Sequence, residues 1–231
     1  PIYDQVGCPV EFVGHPFVDR VKSTQSRQAA RRAIGIGESD RLVSLLPGSR
    51  RQEVVRHFPV MWNALARLAG QIPLSAAIAV APTIPAHLYR AWMRQSVAGL
   101  KTFMIEDEQS RYNLVAASDL ALVTTGTSTV ETLLLGTPMI AGYRLSAFSY
   151  AIARMLAHVQ FCAMPNILAN EEIVPEFIQN RFTPELLSAE SRKFLADPAH
   201  GDRMRLKLKS VADMLGPAGP AAPVAAAATE V

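Results

Sequence analysis

Two short stretches of this 231-residue chain gather side chains that could grip a ligand. In "LLPGSRRQEV", Gly48 permits a tight turn and a close backbone approach, and Ser49 with Gln52 fits a capping box that starts a helix at Ser49. Arg50 then projects from the first turn. Backbone N–H groups, the helix dipole and a guanidinium would converge on one spot, which suits a phosphate or diphosphate. Read alone, the triplet is equally an ordinary cap followed by a solvated arginine. In "LVTTGTSTVETLLLGTP", Gly126 is followed by the hydroxyls of Thr127, Ser128 and Thr129, and then by one acid, Glu131. Thr127 and Glu131 are four apart and share a helix face, with Val130, Leu133 and Leu134 toward the core. A carboxylate one turn inside such a helix can accept hydrogen bonds from both hydroxyls of a ribose. A plain acid near a helix N-terminus would account for Glu131, but not for its pairing with Thr127.

Apolar runs bounded by turn residues must position these loops. "RLVSLLP" (41–47), "LSAAIAVA" (74–81), "KTFMIE" (101–106), "DLALVTT" (119–125) and "PMIAGYR" (138–144) read as strands, with helix-period segments between them. The first such helix covers residues 51–69, interrupted and restarted at Pro59. Continuous rather than alternating apolar strands indicate a parallel sheet covered on both faces. The fold class is therefore α/β, a Rossmann-like parallel sheet, and both loops fall at the carboxyl ends of strands, where such sheets bind ligands. After Arg144 the sequence reads as a helix over 145–161, a loop leading into a helix over 162–180, a helix opened by Thr183–Pro184, and a last helix from His200. The segment "GPAGPAAPVAAAATEV" from Gly216 is low-complexity and expected to be disordered. The domain reading is a segment over 1–20 ahead of the sheet, a Rossmann-like domain over 21–165, C-terminal helices over 166–215, and the tail over 216–231.

Composition narrows the function classes. Hydrophobic residues make up 49% and charged residues 19%, which describes a folded domain, and the net charge of +3 comes from dispersed basic residues, so nucleic acid is not indicated. Cys8 and Cys162 share no metal or redox spacing, and buried thiols in a reducing cytoplasm are expected. The five histidines (His15, His57, His87, His158, His200) form no HExxH pair, so neither a metal site nor a cofactor is expected. No run reaches membrane-span length, and no signal peptide stands at the start. There is no GxGxxG, no GxxxxGK[ST] and no GxSxG, so Ser128 is not a nucleophile candidate.

Taken in order, "FVGHP", "LLPGSRRQEV", "GTSTVETLLLGTPMI", "GYR" and "MPNILANEEIVPEFIQ" resemble the lipid-A-disaccharide synthase family from about Tyr3 to Leu187. The resemblance implies the C-terminal, donor-binding half of a glycosyltransferase-B fold. It implies a UDP-2,3-diacylglucosamine donor and a 2,3-diacylglucosamine 1-phosphate acceptor (lipid X). By position, Ser49, Arg50 and Gly126 to Thr129 would meet the UDP diphosphate, Glu131 the ribose, and Asn166 and Glu172 the donor sugar. Asn170, where the family often has glycine, and the Thr127–Ser128–Thr129 run, where it is more Ala-containing, are mild departures. The expected catalytic base lies in an N-terminal half that this chain lacks, so no catalytic residue is assigned and the chain alone is expected to bind without turnover. His15 reads as a hinge residue. A cytoplasmic enzyme, peripheral on the inner face of the inner membrane, and a homodimer are further expectations. The amphipathic segment 145–161 suits either core packing or that membrane contact.

Two other enzymes of the same fold compete. A 2-epimerase would want an acid and paired glycines near 125–127, and the peptidoglycan glucosaminyltransferase a glutamine-rich stretch after the fifth strand; "TTGTST" and "GYRLSAFSYAIARM" supply neither. A non-catalytic nucleotide-binding module is the reading from a different class.

Overall fold

The structure, a computed structural model, describes residues 12, 14–93, 97–145 and 160–216. Residues 146–159 of the amphipathic helix expected over 145–161 and the Ala/Pro tail beyond Gly216 lie outside the described residues, as does Cys8.

Six strands form one parallel sheet: β1 (Arg41–Leu46), β2 (Leu74–Ala79), β3 (Leu100–Ile105), β4 (Leu120–Thr124), β5 (Met139–Tyr143) and β6 (Glu176–Ile178). Their order is β3-β2-β1-β4-β5-β6. The chain adds β2 and β3 on one side of β1, then crosses back to place β4 on the other side. Leu45 of β1 stands beside Ile78 of β2 and Leu122 of β4. Between β1 and β4 the loops diverge to opposite faces, leaving a crevice at the carboxyl edge.

Both faces are covered. Before β1 come α1 (Phe17–Arg20) and α2 (Arg27–Ala33); α3 (Arg51–Ala69), α4 (Ala86–Trp92), α5 (Glu108–Ala116) and α6 (Thr127–Leu134) follow β1 to β4 in turn. α7 (Met164–Ala169) precedes β6, and α8 (Pro184–Ala196) and α9 (Pro198–Asp213) close the described chain. Val43 and Leu45 join Phe58, Met61, Leu65 and Leu68 of α3 in the main core, where α8 packs on α3. On the other face Leu42 and Ala77 meet Ala30 of α2 and Leu114 and Ala117 of α5. Strands buried on both sides explain why the sequence shows apolar runs without alternation. Among the described residues, no helix is long and apolar enough to cross a membrane.

Three expectations about local structure change. Pro59 neither stops nor restarts a helix: α3 runs through it unbroken. Proline deprives the Val55 carbonyl of its helical partner, and Val55 is on an exposed face where water can serve instead. The segment read as a loop into a helix holds a short helix, α7, and the sixth strand. At three residues, β6 is too short for any periodicity to reveal. Cys162 is an exposed thiol, not a buried one. Elsewhere the sequence punctuation is literal. Thr183 caps α8, its hydroxyl accepting from the Leu186 N–H. At the end of α6 the Thr137 N–H reaches the Thr132 carbonyl and the Gly136 N–H reaches that of Leu133, with Gly136 at φ 65°.

The segment before α1 is joined to the end of α9. The His15 N–H donates to the Leu215 carbonyl at 2.8 Å, and a Cβ on Gly216 would come 2.8 Å from the Gly14 Cα.

Phe182 is fully buried against β5, where Gly142 has no side chain to resist it; a methyl there would overlap the ring. Gly142→Ala should therefore destabilise the chain by about 1–3 kcal/mol, the usual range for overpacking. A lower urea midpoint with unchanged slope would show it; an unchanged midpoint would mean that the ring moves aside freely.

Candidate functional site

The two loops singled out by their chemistry stand at the carboxyl ends of β1 and β4, adjacent strands on either side of the reversal. The Thr124 hydroxyl donates to the Leu46 carbonyl at 3.3 Å and stitches the two strand ends together.

In the turn after β1, Gly48 has φ 113°, and a Cβ there would lie 2.6 Å from Glu53. The helix begins one residue later than the Ser49 cap predicts: Arg50 is the N-cap and Arg51 the first helical residue. Glu53, not Gln52, closes the box. Its Oε2 accepts from the Ser49 N–H at 3.0 Å and the Arg50 N–H at 3.2 Å. A carboxylate therefore already holds the amides that the sequence reading offered to a diphosphate. The Arg50 guanidinium, 3.4 Å from Glu53 Oε1, leaves 82% of its side chain exposed. The Thr83 hydroxyl, from the loop after β2, steadies the turn by donating to the Ser49 carbonyl at 2.9 Å.

The turn after β4 is differently poised. Gly126 has φ 122° and ψ −147°, a conformation open only to glycine, with free space where a Cβ would stand. Thr127 is exposed and Ser128 half-buried. The Thr129 N–H donates to the Gly126 carbonyl at 3.0 Å, and the N–H groups of Thr127 and Ser128, at the start of α6, carry the positive end of its dipole. Thr129 is fully buried: its hydroxyl donates to the Gly126 carbonyl at 2.6 Å and accepts from the Met164 N–H at 3.3 Å. It joins α6 to α7 and does not open to the crevice, because its place in the turn faces the core.

Glu131 is buried and faces α5. Arg111 Nη2 and the Tyr112 hydroxyl each donate to its Oε1 at 3.3 Å. Burial raises its pKa, partly opposed by the Arg111 charge. Arg111 and Tyr112 were missed by the sequence reading, since nothing in "EQSRYNLVA" signals a carboxylate twenty residues away.

Asn166 and Glu172 are the residues expected at the donor sugar. Asn166 is fully buried: its Oδ1 accepts from the Ile173 and Val174 N–H groups, and its Nδ2 donates to the Val174 carbonyl and Glu176. Every bond it has room for is internal, so it shapes the loop leading to β6. Glu176 in turn accepts from the Cys162 and Ala163 N–H groups at the start of α7. Glu172 is exposed and lines one hollow with His200, Arg203 and Lys207 of α9.

His57 is a second residue that the sequence reading passed over. It occupies an apolar stripe with Val54, Phe58, Met61 and Leu65, and a histidine at a core position of an amphipathic helix is the signal that could have found it. Buried on α3, its Nδ1 is 3.3 Å from the Pro47 carbonyl, while the Arg144 N–H donates to its Nε2 at 3.0 Å. The ring lies against Tyr143 and Phe182. One tautomer satisfies both contacts, a neutral imidazole with the proton on Nδ1. It ties the end of β1 to the end of β5.

Burial lowers the His57 pKa, opposed by its bond to Pro47. The folded state then binds fewer protons than the unfolded one below pH about 6.5, so His57 contributes stability fully above that value and loses it as pH falls through the folded pKa. His57→Gln should flatten the fall in stability between pH 7 and pH 5, and His57→Leu should cost about 1–3 kcal/mol at pH 8 by orphaning buried backbone groups. Urea unfolding across pH tests both; an unaltered pH profile in His57→Gln would remove the histidine from the account.

Comparison with known proteins adds a lineage to this geometry. The chain is 39% identical over 227 residues to the lipid-A-disaccharide synthase of Syntrophus aciditrophicus, covering 96% of this chain and 57% of that protein. It thus spans about half the length of the curated relatives it matches. Among solved structures it is similar to WaaG, a glycosyltransferase involved in lipopolysaccharide biosynthesis, with a TM-score of 0.54 and 17% identity over 86% of this chain and 50% of that one. It is also similar to Anabaena Alr3699/HepE in complex with UDP, with a TM-score of 0.57 and 14% identity over 91% of this chain and 54% of that one. At these identities the structures speak for the fold, half of a glycosyltransferase-B architecture. The family model described as lipid-A-disaccharide synthetase matches residues 1–217, a span that takes in both glycine turns and the β1/β4 reversal, and the chain belongs to that family.

Proposed function

We propose that this chain is the donor-binding half of an inverting glycosyltransferase that joins UDP-2,3-diacylglucosamine to 2,3-diacylglucosamine 1-phosphate, giving the lipid A disaccharide 1-phosphate and UDP. The observation that carries the reading is the convergence, across one sheet reversal, of an open helix N-terminus, an exposed arginine and a buried carboxylate.

Each group has a distinct task. The diphosphate sits at the N-terminus of α6, at the amides of Gly126, Thr127 and Ser128, where the absence of a side chain on Gly126 leaves open space. Arg50, from the opposite turn, is long and free enough to close over it. Between them they stabilise the charge that develops on UDP as the glycosidic bond breaks. Glu131 receives the ribose hydroxyls, giving up contacts of 3.3 Å to Arg111 and Tyr112 that are long for charge-assisted bonds. Thr129, Asn166 and Glu176 act indirectly, by fixing α7 beside the crevice. The half that precedes residue 20 supplies the acceptor site and the base. Supporting this division, HepE, a fold neighbour, is known with UDP bound.

Calorimetry with UDP tests the donor role. Arg50→Ala and Glu131→Ala should each weaken binding by about 10- to 100-fold, the worth of a hydrogen bond to a charged group. Because burial raises the Glu131 pKa, the charged form is disfavoured in the fold at neutral pH. Glu131→Gln should accordingly raise the melting temperature of the free chain while weakening UDP. A drop in melting temperature with UDP affinity intact would make Glu131 a structural ion-pair partner of Arg111 and nothing more. Disaccharide formation on adding the N-terminal half tests the full reaction; a folded pair that binds UDP without turnover would favour a binding module.

A further inference from the structure

A cavity of about 450 Å³ lies at the opposite edge of the sheet from both glycine turns. Arg41 opens β1 and Asp119 immediately precedes β4, so the cavity lies at the amino ends of the two strands whose carboxyl ends flank the crevice. Six residue steps along β1 separate the two places, roughly 20 Å.

Its wall carries three guanidiniums, Arg27, Arg41 and Arg205, and two carboxylates, Asp119 and Asp202. Asp119 is already committed. Its Oδ1 takes Arg27 Nη2 at 2.5 Å, its Oδ2 accepts from the Leu42 N–H at 2.8 Å, and the fully buried Arg31 approaches Oδ2 to 3.6 Å from behind. Asp202 is 3.8 Å from Arg205 Nε, with 73% of its side chain exposed. Arg205 is fixed in place by donating to the Gly136 and Ser118 carbonyls, both at 3.1 Å. Arg41 has no partner for its guanidinium among the described residues. The positive groups therefore outnumber the negative ones, and one of them is uncommitted. Burial and the charge of Arg27 both lower the Arg205 pKa, the direction expected where cations crowd without enough counter-charge. Pro198 and Gly201, in the first turn of the sixteen-residue α9, add the positive end of a helix dipole to the same wall. Phe194 and Leu195 of α8 supply an apolar flank.

We infer that this amino-edge cavity is a second anion site, separate from the nucleotide crevice, that takes a small phosphate monoester, with Arg41 as its free ligand and Arg27 and Arg205 as its fixed ones. Fixed guanidiniums give the phosphate a preorganised wall, Arg41 closes on it, and the apolar flank accommodates the esterified group. The volume is in the range of small-molecule sites.

The test is a titration of the ¹⁵N-labelled chain with inorganic phosphate and with glucose 1-phosphate at pH 8, read by amide shifts. The expected result is perturbation of Arg41, Gly201, Asp202 and Arg205 by both, with the ester binding at least as tightly. Arg41→Ala should weaken binding about tenfold or more, and Asp202→Asn, which removes a repelling carboxylate, should tighten it. Arg50→Ala should leave it unchanged whatever becomes of UDP binding, and melting curves confirm that each variant is folded. Shifts confined to Gly126–Ser128, unchanged affinity in Arg41→Ala, or weaker binding in Asp202→Asn would overturn the site. An ester bound more than tenfold weaker than free phosphate would overturn its assignment to monoesters.

Discussion

Everything in this molecule depends on the reversal of strand order at β1. A parallel sheet needs a crossover after every strand, and crossovers of one hand cover one face as long as the chain advances in one direction. By building β2 and β3 to one side and then returning to place β4 on the other, the chain sends consecutive loops to opposite faces and leaves a gap between them. The gap is therefore a product of topology, independent of any side chain. The sequence then furnishes it: a glycine turn on each bank, an arginine on one and a helix start on the other.

Carboxylates decide which helix start stays open. Glu53 occupies the amides ahead of α3, and Glu176 those ahead of α7. Both helices enter the region with their positive ends already answered. α6 does not: its N-cap is a glycine with no side chain to offer, and its first hydroxyls point outward or into the core. An incoming anion thus meets one vacant helix terminus among three, and the specificity of position comes as much from the two that are closed as from the one that is open.

The sheet was legible in the sequence because burial on both faces leaves a simple trace, a run of apolar residues between turn residues. Five strands could be read that way within a residue or two, and the order of motifs carried the family. The sixth strand was not legible, since three residues pairing with Ala141 to Tyr143 leave no period to detect. For the site, types and positions along the chain were readable, but directions were not. Ser49–Gln52 and Arg50–Glu53 have the same spacing, and only the backbone decides which pair caps the helix. Asn166 looks the same in sequence whether it lines a pocket or saturates a loop. His57 and Arg111 escaped because their partners lie 87 and 20 residues away.

One contact far from the crevice carries a mechanical meaning. Residues 14–16 and the end of α9 cross with no room for a side chain between them, held by a backbone bond from His15 to Leu215. α9 in turn packs against α6, whose first turn forms one bank of the crevice. α9 runs from the amino-edge cavity at Pro198 to this crossing, and on the way Arg205 holds the Gly136 carbonyl at the far end of α6, so a tug on the chain ahead of Gly14 is borne by a helix sixteen residues long that grips α6 from its closing turn. Such a crossing acts as a tie-rod, so that the direction in which the chain leaves Gly14 and the attitude of α6 change together.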